Sequence, residues 1–97
     1  LLRLIEWRDS VQTDDFTLTR GANFWKVDAT SAAVDATLPD ASALKGLPIT
    51  VIKTDSGGNA VTVIGTISGT TDPSLAAQYN SITFYSDGSN YYKIAEV

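Results

Sequence analysis

The stretch Leu38 to Gly65, LPDASALKGLPITVIKTDSGGNAVTVIG, decides how the rest of the chain is read. It holds two short β-branched runs, Ile49 to Lys53 and Ala60 to Ile64, on either side of Thr54-Asp55-Ser56-Gly57-Gly58-Asn59. That spacer is dense in residues that tolerate positive φ or hydrogen-bond their own backbone, and it predicts a β-hairpin with Ile49, Val51, Val61 and Val63 facing inward. Upstream, Pro39 ends a strand because it cannot donate to a sheet ladder. Asp40 to Gly46 then has room for a single helical turn, capped by Asp40 and stopped by Gly46.

The flanking chain carries the same signature. Phe16-Thr17-Leu18-Thr19 and Phe24-Trp25-Lys26-Val27-Asp28 alternate and are separated by a break short enough for a second hairpin. In Val34-Asp35-Ala36-Thr37-Leu38 the apolar residues share one face. Thr66 to Pro73 is small and polar, a loop with short strands near Ile67 and Leu75. The clearest hairpin is the last: Tyr79 to Ser86 and Tyr91 to Glu96 flank the turn Asp87-Gly88-Ser89-Asn90. Strands with turn signals every ten residues or so predict an all-β fold, a small antiparallel β-sandwich or barrel joined by hairpins. Residues 1–12 are expected to be a connector or N-terminal segment, and residues 13–97 a single β domain. The chain opens on Leu1 rather than Met, so it is expected to be cut from something longer.

Composition limits function more than it names one. A 97-residue domain buries only about 60–70% of the surface its unfolded chain exposes. It has no cysteine for disulfides, so extra stability is expected from association with other copies of itself. A net charge of −4, with seven scattered Lys and Arg, argues against a nucleic-acid partner and against an anionic membrane face. No apolar run reaches the length of a membrane span, about 20 residues, so membrane insertion is not expected.

Catalytic constellations are thin. Without histidine no serine has its usual base, and Ser42 with Lys45 sits in a surface loop. Asp14 and Asp15 are adjacent, so a strand points them to opposite faces, and the remaining aspartates fit turns and solvated faces. The Asp87, Ser89, Asn90 and Asp55, Asn59 groups lack the spacing of a calcium loop. Gly57-Gly58 is followed by neither Lys-Ser/Thr nor a helix, so it is no phosphate cradle. The expectation is a non-enzymatic protein with no cofactor and no metal. Its candidate recognition loops are Asp55, Ser56, Gly57, Gly58, Asn59 and Asp87, Gly88, Ser89, Asn90, because loop tips are expected to be free of packing duty. Its large amphipathic rings, Trp7, Trp25, Tyr79, Tyr85, Tyr91 and Tyr92, suit a subunit interface or stacking on a glycan.

The order of these segments, above all Leu38-Pro39-Asp40-Ala41 and Ser86-Asp87-Gly88-Ser89-Asn90-Tyr91-Tyr92, resembles small β domains of tailed-bacteriophage fibre, spike and capsid-decoration proteins over residues 13–95. The resemblance implies a homotrimer at the surface of a virion, in contact with other virion proteins and with a host-surface glycan or protein. Two alternatives stay open. One is a capsid decoration or head-fibre protein that docks on the shell through Leu1, Leu2, Leu4, Ile5 and Trp7; the other is an accessory carbohydrate-binding module using Trp25 or Tyr92.

Overall fold

The computed structural model describes residues 11–97; of the connector expected over residues 1–12, residues 1–10, with Trp7 and the shell-docking residues Leu1, Leu2, Leu4 and Ile5, lie outside the described residues. In chain order the strands are β1 (Val11–Gln12), β2 (Phe16–Thr17), β3 (Phe24–Val27), β4 (Val34–Thr37), β5 (Pro48–Lys53) and β6 (Val61–Ile64). They continue as β7 (Thr66–Ile67), β8 (Thr70–Thr71), β9 (Ser74–Leu75), β10 (Ser81–Ser86) and β11 (Tyr91–Glu96). A 3-10 turn at Ala41–Leu44 has Asp40 as its cap, the carboxylate accepting from the Ser42 N–H, and Gly46 follows at φ +83°. The protein is all-β, built as two mixed sheets. Sheet one runs β1-β3-β5-β10-β11-β7-β8, and sheet two runs β2-β4-β6-β9.

The winding departs from the hairpin expectation. Strands β1 to β6 alternate between the sheets, so β1, β3 and β5 are parallel neighbours in one layer and β2, β4 and β6 are parallel neighbours in the other. Parallel neighbours need a long crossover, and here each crossover contains a strand of the opposite sheet. The hairpins expected for Phe16–Thr19 with Phe24–Asp28, and for Ile49–Lys53 with Ala60–Ile64, are therefore corrected: each pair is an arch whose two arms face each other across the core. The antiparallel description is corrected with them. The final hairpin is as read, with Tyr85 opposite Tyr92 and Ser86 opposite Tyr91. Val11 and Gln12, counted with the connector in the sequence, pair with Lys26 and Val27 as an edge of sheet one.

Alternation supplies the core. From sheet one, Val27, Ile49, Val51, Ile82 and Phe84 are fully buried; from sheet two, Val34, Ala36, Val61, Val63 and Leu75 meet them. Burying a side chain of this size stabilises by about 1.5–3 kcal/mol relative to leaving it exposed. Two aromatic contacts bracket the layer. Phe16 and Trp25 stack at 5.2 Å between centroids, one from each sheet, and Phe84 meets Tyr91 edge-on at 5.6 Å. The Tyr91 hydroxyl donates to the Pro39 carbonyl at 2.7 Å, which ties the last hairpin to the turn before β5.

Among the described residues nothing covers the outer face of sheet one. Phe24, Tyr85, Tyr92 and Ile94 are exposed there and along β11. Among the described residues strand β11 meets β7 only at Tyr91, so Lys93 to Glu96 form an edge of the described sheet, where Lys93 and Glu96 pair at 3.1 Å. Charges on an exposed edge discourage indiscriminate strand addition.

Candidate functional site

The two candidate loops have different fates. Position 53 shares the inward face of Ile49 and Val51, and its occupant is a lysine with no exposed surface. Its ammonium donates to Asp55 Oδ2 at 2.7 Å, to the Asp55 carbonyl at 3.0 Å and to the Gly57 carbonyl at 3.1 Å, so all three N–H bonds are used. Asp55 also accepts from the Ala29 N–H at 2.8 Å and the Gly57 N–H at 2.9 Å. The Lys53 hydrogen bond, followed by that of Ala29, lowers the Asp55 carboxyl to about 2. Asn59 Nδ2 donates to the Ala29 and Thr30 carbonyls. The premise that this loop is free of packing duty is thus corrected: the arch 54–60 is fastened to residues 29–30. The buried lysine escaped the sequence reading, although strict alternation from Ile49 pointed to it.

The Asp87–Asn90 turn is open. Asp87 Oδ1 accepts from the Ser89 and Asn90 N–H groups, each at 2.8 Å. These bonds, Asn90 first, and then the Tyr92 hydroxyl hold its carboxyl below the usual range. Gly88 sits at φ +98°, a conformation that other L residues adopt at a cost. Among the described residues the Ser89 hydroxyl and the Asn90 amide have no partner within the domain.

Opposite this turn lies a second one. Ser68 at φ +52° and Gly69 at φ +81° form the two-residue link of the β7–β8 hairpin, the type I′ combination. Ser68 N–H donates to the Tyr91 carbonyl at 2.9 Å, and Ser68 Oγ accepts from the Lys93 N–H at 2.7 Å, so the hairpin is latched onto β11. Between the two turns is a cleft of about 350 Å³ lined by Thr66, Ser68, Gly69, Ser89, Asn90 and Tyr92, with Ala41 and Tyr91 completing its wall. Ser68 and Gly69 were missed in sequence. A two-residue Ser-Gly spacer between Thr66-Ile67 and Thr70-Thr71 was the available signal.

The candidate aromatics divide. Trp25 is 8% exposed and Tyr91 7%, both engaged in the core contacts above, and the buried indole N–H of Trp25 has no acceptor among the described residues. Tyr79, Tyr85 and Tyr92 are 64%, 38% and 47% exposed. Of these only Tyr92 borders the cleft, so the structure brings together Ser89, Asn90, Tyr91 and Tyr92 and leaves Asp55–Asn59, Tyr79 and Tyr85 outside it. The lining offers hydroxyls, an amide and an aromatic ring, which can hold a polar ligand by hydrogen bonds. Among the described residues no three His, Cys, Asp or Glu side chains cluster as metal ligands, and no helix is long and apolar enough to cross a membrane. Comparison with protein-family models, curated proteins and solved structures finds no match.

Proposed function

We propose that this chain is a non-enzymatic structural and binding module of a bacteriophage virion, a homotrimeric fibre or spike domain that presents its loops to a host surface. The observation that carries the binding role is the cleft between the Ser68-Gly69 and Asp87–Asn90 turns, where Ser89 and Asn90 keep their hydrogen-bonding capacity for a partner. Loops held by a rigid scaffold are the usual seat of recognition. The Asp55–Asn59 arch plays the supporting part, fixing the scaffold. Self-association is supported by the exposed Phe24, Tyr85 and Ile94, large apolar groups that neighbouring copies can cover. Three copies turn weak loop contacts into useful avidity.

Two measurements test the proposal. The native mass in solution is expected to be three times that of one chain, and a dilute monomer removes the trimer. Fluorescently labelled domain is expected to adsorb to susceptible bacteria; adsorption to phage capsids instead, with none to cells, replaces host attachment by shell decoration.

A further inference from the structure

We infer that the cleft between Ser68-Gly69 and Asp87–Asn90 takes a neutral saccharide unit, a refinement that rests on the attachment reading above. The lining residues are Thr66, Ser68, Gly69, Ser89, Asn90 and Tyr92 against Ala41 and Tyr91, with no Lys, Arg, Asp or Glu among them. A phosphate, sulfate or carboxylate group is held by charge-assisted hydrogen bonds, and among the described residues no Lys or Arg lines the cleft to supply them; Lys45 lies beside the turn, against Gly88, outside the lining. The net charge of −4 further disfavours an anion. A cationic ligand meets no carboxylate in the lining, and the neighbouring Asp87 is engaged by the Ser89 and Asn90 N–H groups and by Tyr92. An acyl chain finds hydroxyls and an amide where it needs a continuous apolar wall.

What fits is a group that both donates and accepts at several points, as the hydroxyls of Ser68 and Ser89 and the amide of Asn90 do themselves. Sugar hydroxyls have that character, and the C–H face of a pyranose packs on an aromatic ring such as Tyr92, which is half exposed. The volume of about 350 Å³ lies at the small end of the range for small-molecule sites, about 300–1,000 Å³. It suits one or two rings at the end of a glycan.

Titration calorimetry and saturation-transfer NMR on the full chain test this with methyl α-glucoside, methyl β-galactoside and N-acetylglucosamine, against glucuronate and N-acetylneuraminate. At least one neutral probe is expected to bind with Kd on the order of 1 mM, well ahead of both charged ones. Asn90→Ala and Tyr92→Ala each weaken it by about fivefold, as loss of one hydrogen bond or one stacking surface does, while Tyr92→Phe keeps it. Unfolding midpoints show that the variants remain folded. Preference for a charged probe, binding indifferent to Asn90→Ala and Tyr92→Ala, or no neutral binding at about 50 mM overturns the inference. A domain that adsorbs to bacteria yet ignores every neutral probe refutes the saccharide assignment and leaves attachment standing. One that binds a neutral probe through Tyr92 and adsorbs to no cell supports the assignment and removes attachment.

Discussion

The arch Asp55–Asn59 and the turn Asp87–Asn90 begin alike and end differently. In both, an aspartate accepts an N–H from two residues further on: Gly57 in the arch, Ser89 in the turn. In the turn the flanking strands pair with each other, so the link closes within one sheet and its side chains point to solvent. In the arch the flanking strands belong to opposite sheets, so the link crosses from one to the other and turns Asp55 toward Lys53 and Asn59 toward residues 29–30, while Ser56 to Gly58 stay exposed at its tip. Lys53 fills that crossing. The lesson is that local turn chemistry fixes how a chain reverses, whereas the sheet membership of its arms fixes whether the tip is structural or available.

Breaking the arch has the largest expected effect. Lys53→Ala removes a buried ammonium and orphans the carbonyls and carboxylate it serves, costing about 3–5 kcal/mol in urea unfolding. Removing both charges, Lys53→Met with Asp55→Asn, recovers most of that loss. The glycines sharpen the contrast next. Gly88→Ala forces a left-handed alanine whose Cβ meets Lys45 Cδ at 2.9 Å, and it costs about 1–2 kcal/mol. Gly58→Ala meets nothing within 4 Å and leaves the unfolding midpoint unchanged or slightly raised. The two asparagines differ in the same sense: Asn59→Ala loses about 1–2 kcal/mol with its two carbonyl partners, and Asn90→Ala stays within about 0.5 kcal/mol.

Acid supplies the gentlest test. Asp55 is held at about 2, below the roughly 3.9 of an unfolded aspartate, so its contribution is full above pH about 4 and disappears as pH falls toward 2. Asp87 is lowered too and has the same sign. Asp55→Asn is expected to flatten the acid limb of stability against pH more than Asp87→Asn does, read from urea midpoints between pH 5 and pH 2.

Much of this fold was legible because alternation marks strands and inward faces whatever their partners. Ile49, Val51, Val61 and Val63 are inward under the hairpin reading and inward in the structure. For the same reason the pairing was illegible: a hairpin and an arch place the same apolar positions against the core, and the spacer at 54–59 is compatible with both. The final hairpin was legible because an Asp-Gly turn sits between two long alternating arms; link length alone does not decide, since β6 and β7 part to opposite sheets across the single residue Gly65. At the site, Ser89, Asn90 and Tyr92 could be nominated from their turn. Their neighbours Ser68 and Gly69 come from a strand pair of two residues each, too short for any alternation to announce.

The interleaved winding also dictates when the molecule can form. Trp25 aligns with Val51, Val34 with Val61, and Ile49 with Phe84, so almost every ladder joins residues far apart in the chain. Such non-local pairing slows folding, because loop closure precedes its reward. Strand β10 then slots between β5 and β11, in the interior of sheet one. A nascent polypeptide leaving the ribosome therefore holds β5 with one flank bare until residues 81–86 have been synthesised. A premature stop before Ser81 is expected to leave that flank of β5 as an unpaired edge, open to strand addition by other chains.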